Sequence, residues 1–212
     1  MPTTKKTTQG MATIDVDLVV IRVGGSSNGT EYAVDTANRI GVEPQTDVQE
    51  AIKLVKNGKL LAQKPERTTI TGNRITLRDN VFIPDIVKIL QGGKLSGAGT
   101  SMTYTPPVAG SGEEGEIFEL EVYSAVYDES GKVTMYEKTT YPNCKGTPIT
   151  VGSEDNVFRL PEYVINSAPS KGQAPYSMAW VAGLPSFAEA ASASVSMMTL
   201  PPEEENTGLQ KK

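Results

Sequence analysis

Histidine is absent from all 212 residues, which removes Ser-His and Cys-His nucleophile pairs and every histidine metal site together. Cysteine occurs once, as Cys144, so no disulfide can form within a chain and no zinc site built on cysteine pairs is possible. That usage suits a reducing compartment. Aromatic residues are scarce at 6% and apolar residues stand at 38%, so a modest core is expected, with part of the chain outside it. No window approaches the run of about 18 apolar residues that a membrane span needs. Basic residues precede an apolar run near the start, but Asp15 and Asp17 interrupt it where a signal peptide requires unbroken hydrophobicity. The chain is therefore expected to be soluble and not exported.

The length fits one domain with a real core. A net charge of -5 argues against a protein that grips phosphate backbones, because grip requires clustered Lys and Arg. It suits a surface past which DNA must slide, since repulsion keeps the polyanion off the wall.

Residues 1–11 offer little to bury, and 186–212 shift to Ala, Ser and Met, then to Pro201, Pro202 and the acids Glu203 to Glu205; both are expected to be flexible arms, the second acidic, around a β domain at 12–185. In Ile14, Val16, Leu18 and Val20 apolar residues recur every second position, with Asp15 and Asp17 opposite, as in a half-buried strand. From Val19 through Ile21 and Val23 both faces turn apolar, so that end is expected to be covered twice, by the core and by a neighbouring element or subunit. Residues 117–140 read as a hairpin: Phe118, Leu120, Val122 and Val126 alternate with Glu119, Glu121 and Tyr123, and Gly131 supplies the turn. A later strand pair is expected at 157–166 and 175–182.

Residues 46–62 support two readings. Thr46 to Gln49 has capping-box spacing, with Val48, Ala51, Ile52 and Val55 at helical intervals, whereas Asn57-Gly58 between strand-like runs signals a tight hairpin, which we favour. A helix is expected at 84–91, with Pro84 at its first position, Ile86, Val87 and Leu90 packing on a sheet, and Gly92-Gly93 as the stop. Eight residues need such docking to stay helical.

The glycine loops fail the nucleotide templates, with Ser26 where a dinucleotide fingerprint needs glycine and Ala98 where a phosphate loop needs lysine. Asp15/Asp17 and Glu119/Glu121 each place two carboxylates on one strand face, roughly 7 Å apart and within reach of glycosidase geometry, but alternating acids also mark any solvated strand. Cys144 beside Lys145 could be a reactive thiol; without a base to partner it, a small turn residue is expected. Trp180 lies in an apolar run and is expected in the core, which weighs against a carbohydrate-binding platform. Neither catalysis nor a bound cofactor or metal is expected.

The words Lys64-Pro65, Thr69-Ile70-Thr71-Gly72-Asn73-Arg74-Ile75-Thr76-Leu77, Asp79-Asn80-Val81-Phe82-Ile83-Pro84-Asp85 and Leu90-Gln91-Gly92-Gly93 resemble major tail (tail tube) proteins of phages and prophages of Gram-positive bacteria. Tyr141-Pro142-Asn143-Cys144-Lys145-Gly146, Val157-Phe158 and Leu184-Pro185 are similar to the same group. The resemblance implies a mainly β fold, a twisted antiparallel β-sandwich or partial barrel with one flanking helix, assembled as six-subunit rings that stack into a tube for genome delivery. It implies as partners other copies of the chain, the terminator, the baseplate or tip and, in a contractile tail, a sheath. DNA would pass transiently and without specificity, no membrane would be bound, and the chain would be made in the host cytoplasm and end in the virion tail. Val19, Ile21 and Val23 then become a candidate subunit-interface strand, and loops 24–31 and 92–116 would gain order on assembly. Asp15, Asp17, Glu119 and Glu121 become candidate acids of the bore. The alternatives are a decoration or tail-completion protein, the tube of a phage-derived bacteriocin and, further off, a carbohydrate-binding module.

Overall fold

A computed structural model describes residues 12–24, 29–149, 155–156 and 159–187. In chain order it holds β1 (Ala12–Val23), β2 (Thr30–Val34), β3 (Ala37–Gln49), β4 (Ile52–Lys56), β5 (Lys59–Lys64), β6 (Arg67–Asp79), α1 (Pro84–Gln91), β7 (Lys94–Ser96), β8 (Thr103–Thr105), β9 (Phe118–Tyr127), β10 (Val133–Gly146), β11 (Glu162–Ser167) and β12 (Ser177–Val181). The fold is mainly β with one short helix, and every strand pairing is antiparallel. One open sheet runs β2-β1-β9-β10-β11-β6-β3, with β12 joined to β10, while β4-β5 and β7-β8 form separate ribbons. The sheet does not close into a barrel, and β2 and β3 remain its outer strands.

The 117–140 hairpin forms as expected: β9 and β10 pair from Tyr127↔Val133 to Phe118↔Cys144, and Gly131 takes a φ of 78° in the turn. Val19, Ile21, Phe118, Leu120, Ile75, Leu77, Tyr163 and Ile165 line one face of the sheet, and α1 closes that core with Ile86, Val87, Ile89 and Leu90. Burying those four side chains contributes roughly 2 kcal/mol each before entropy, enough to hold a helix too short to stand alone. Pro84 starts α1, and Gly92, at a φ of 79°, ends it with its N–H on the Lys88 carbonyl. Gly146 of β10 lies directly beneath the helix, where a Cβ would come within 2.5 Å of the Leu90 Cβ.

Several expectations are corrected. The alternation of β1 breaks at a bulge: Ile14 pairs with Ala125 but Leu18 with Tyr123, so four steps along β1 answer two along β9. Asp15 sits there at a φ of 67°, and the Asp17 carboxylate accepts the Ala125 N–H at 2.6 Å, so the two acids do not share one strand face. Val19 and Ile21 are wholly buried in the chain's own core, with Val23 packed against it, because β1 is paired on both edges by β2 and β9. The side chains of Val19 and Ile21 are thus already covered, and the second cover comes from within the chain, where Tyr123, Tyr136, Val181 and Phe187 pack around Leu18 and Val20. The two late strands exist but do not pair with each other. Both lie along one edge of β10, β11 against Cys144, Lys145 and Gly146 and β12 against the stretch from Tyr136 to Thr140.

Segment 92–116 is built within the chain by the β7-β8 ribbon, by Glu116 N–H on the Ile89 carbonyl at 2.8 Å, and by Gly92 packed on the backbone of Glu113 and Glu114. Of loop 24–31, residues 25–28 lie outside the described residues, as do the expected arm 1–11 and residues 188–212 of the other arm. Phe187 was expected in that second arm but belongs to the body.

Candidate functional site

Beyond Asn73↔Ser167, the last pair β6 makes with β11, β6 keeps only β3 as a partner. The two strands leave the sheet together for the stretch from Gly72 to Arg67, about 20 Å at 3.3 Å per residue. Their register slips once, between Gln45 and Thr46, where the Thr71 hydroxyl donates to the Gln45 carbonyl at 3.2 Å. The arm continues into the β4-β5 hairpin. Its tip is Asn57-Gly58 with φ of 51° and 75°, both left-handed as a two-residue hairpin turn requires, which decides the 46–62 ambiguity. Thr46, Asp47, Val48 and Gln49 are strand residues of β3.

Every residue of β4 and β5 is exposed, uncovered by the other described residues. Ile52, Leu54, Val55, Leu60 and Leu61 stand 55 to 66% exposed. The bulge between Leu54 and Val55 distributes them over both faces, so neither face is a plain polar outside. Lys53, Lys56, Lys59 and Lys64 lie among them with no acid between 51 and 65, leaving 16 basic against 25 acidic residues in the rest of the chain. Among the described residues none of these lysines makes an ion pair.

A second exposed edge is β12. Trp180, expected in the core, is 50% exposed, with Met178 and Tyr176 also exposed, because among the described residues β12 is hydrogen-bonded only to β10 and none covers this face. An open groove of about 590 Å³ lies between the end of α1 and loop 107–115, floored by Leu90 and Gly146, with the Lys145–Glu114 ion pair beside it.

The four candidate bore acids have different settings. Glu121 is 1% exposed. Arg22 of β1 reaches it at 2.8 Å, Lys138 of β10 forms an ion pair with it, and the Tyr123 hydroxyl donates to it at 2.8 Å. Burial opposes its charge, but the bonds from Lys138, Tyr123 and Arg22 outweigh burial and hold the carboxyl below its ordinary range. Burial likewise opposes the charge of Arg22, yet its bonds to Glu31 and Glu121 raise its pKa. Glu119 shares Arg22 at 3.0 Å, so the expected common face of Glu119 and Glu121 exists, occupied by a cation. Asp17 is engaged at the bulge, and Asp15 alone of the four is exposed. Cys144 is wholly buried, with its thiol pushed up to about 12 by burial, and fits the structural reading.

No family model matches the chain, and no curated protein sequence matches it. Among solved structures it is similar to a chain of the anti-feeding prophage baseplate, determined by six-fold symmetrised cryo-EM, at 8% identity over 84% of this chain and 97% of that one, with a TM-score of 0.33. It is also similar to a chain of the sheath-tube complex of an extracellular contractile injection system in its extended state, at 15% identity over 79% of this chain and 92% of that one, with a TM-score of 0.36.

Proposed function

We propose that this chain is a structural subunit of a phage-tail-like particle, without catalysis of its own, that polymerises as stacked sixfold rings into the tail tube. The observation that carries the self-assembly is the uncovered arm. Five large apolar side chains on one projecting hairpin form a surface that soluble monomers rarely display and that association would bury. Two open sheet edges, β2 and β3, offer further unpaired backbone for neighbouring copies. The tube form and the phage-tail setting rest on the tail-tube resemblance centred on residues 64–93. Other copies of the chain and other tail proteins are the partners in this reading, and the virion is its location.

Negative-stain imaging of the purified chain over a concentration series tests it. Rings with a central hole, or hollow polymers, are expected as concentration rises. A chain that stays monomeric throughout, or forms only solid aggregates, overturns the reading. The exposure of Trp180 and Tyr176 favours one second reading, a carbohydrate-binding face. Oligosaccharide titration followed by Trp180 fluorescence separates the two, since a sugar platform responds saturably and a tube subunit does not.

A further inference from the structure

The hairpin's surface asks for a partner that is apolar and anionic together, and the chain itself carries one. In segment 195–205, Val195, Met197, Met198 and Leu200 precede Pro201, Pro202 and the acids Glu203, Glu204 and Glu205, the one place in the sequence where three acids follow one another. We propose that this segment docks on the β4-β5 hairpin of its own chain, its apolar residues on Leu54, Val55, Leu60 and Leu61 and its carboxylates on Lys53, Lys56, Lys59 and Lys64, masking the hairpin in the free subunit.

Three observations converge on that occupant. Charge is complementary, because the hairpin carries four lysines without ion partners among the described residues and the sequence of the segment carries a run of three acids. The described chain finishes toward the same end of the sheet: β12 continues the line of β11 in the direction in which the arm leaves β6, and Phe187 packs with Val181 against Leu18, Val20 and Tyr123. Reach suffices, since the sixteen steps from Phe187 to Glu203 span up to about 55 Å when extended, against about 43 Å for the thirteen steps along the arm from Gly72 to Lys59 at the hairpin tip. Pro201 and Pro202 favour an extended backbone just before the acids.

Such a contact is built to be displaced. Exposed ion pairs contribute under about 1 kcal/mol each and weaken with salt. A tethered segment meets its target at an effective concentration in the millimolar range, so it excludes other copies from the hairpin in dilute solution and yields once subunits are concentrated on a growing end.

Zero-length carbodiimide coupling of the full chain at low salt, in an equal mixture of unlabelled and nitrogen-15 chains, tests the docking. Coupled peptides joining 203–205 to Lys53, Lys56, Lys59 or Lys64 are expected in the monomer fraction with both halves carrying the same label, and are expected to be lost in 0.5 M salt (about a 4 Å screening length). Mixed-label pairs alone, or no such pairs, overturn it. The consequence for assembly rests on the reading above: the full-length variant E203Q/E204Q/E205Q should associate at a roughly tenfold lower concentration, about 1.4 kcal/mol. Same-label coupling without any change in association would leave the docking standing and count against the assembly reading.

Discussion

Glu121 joins three strands through side chains alone. Arg22 of β1, Lys138 of β10 and Tyr123 of β9 converge on its carboxylate, and Glu31 and Glu119 complete the cluster around Arg22. Replacing Glu121 with Gln leaves two cations without their shared counter-charge, and a loss of about 3 kcal/mol is expected, toward the low end for breaking a buried ion pair, measured by urea unfolding. The same cluster sets a pH dependence. The folded state holds this carboxyl below its ordinary value of 4.5, so its contribution is fully present above that value and lost as pH falls through the lowered folded value. Acid unfolding of the wild type should therefore be partly relieved of its pH dependence in the E121Q variant. Cys144 supplies a third measurement: with its thiol buried and pushed up to about 12, alkylation of the native chain should be limited by unfolding, with rates that follow urea concentration.

At the scale of elements, α1 and β10 depend on one missing side chain. A methyl at Gly146 would meet the Leu90 Cβ at 2.5 Å and its Cα at 2.6 Å, so the helix axis itself must shift. Gly146→Ala should destabilise by about 2 kcal/mol, as overpacked cores do, and Leu90→Ala by about 3 kcal/mol through the cavity it leaves, both read from thermal unfolding. The helix was legible because Pro84, the apolar spacing and Gly92-Gly93 are local signals. Its dependence on Gly146 was not, because the two positions meet only when α1 folds back across the sheet. The hairpin at 52–64 turned on Asn57-Gly58, whose left-handed φ values belong to the tight turn and not to the helix that the capping-box spacing suggested.

The whole molecule is an acidic body carrying one cationic, apolar arm. Placing Glu at Leu54 and Leu61 together puts charge on a surface outside the packed core of the described residues. The double variant should unfold within about 0.5 kcal/mol of wild type, as surface changes do, while its association threshold in sedimentation velocity rises at least tenfold. Equal loss of folding and association would instead make the arm part of the subunit's own core. Salt should act on the same contacts, weakening those that depend on the four lysines.

What the sequence by itself determined was whatever is local in cause: the absence of histidine chemistry, the strand-turn-strand of 117–140, the helix at 84–91 with its stops, and the turn at Asn57-Gly58. Each is specified by neighbours a few residues apart. Tertiary structure alone decided which apolar residues are covered. Val19 and Trp180 both sit in apolar strands, yet Val19 is buried because β1 has a strand on either side and Trp180 is exposed because β12 has only one. It decided the acids in the same way, because burial and pairing depend on what other strands bring up. Glu121 read as a solvated position until β1 and β10 placed Arg22 and Lys138 against it.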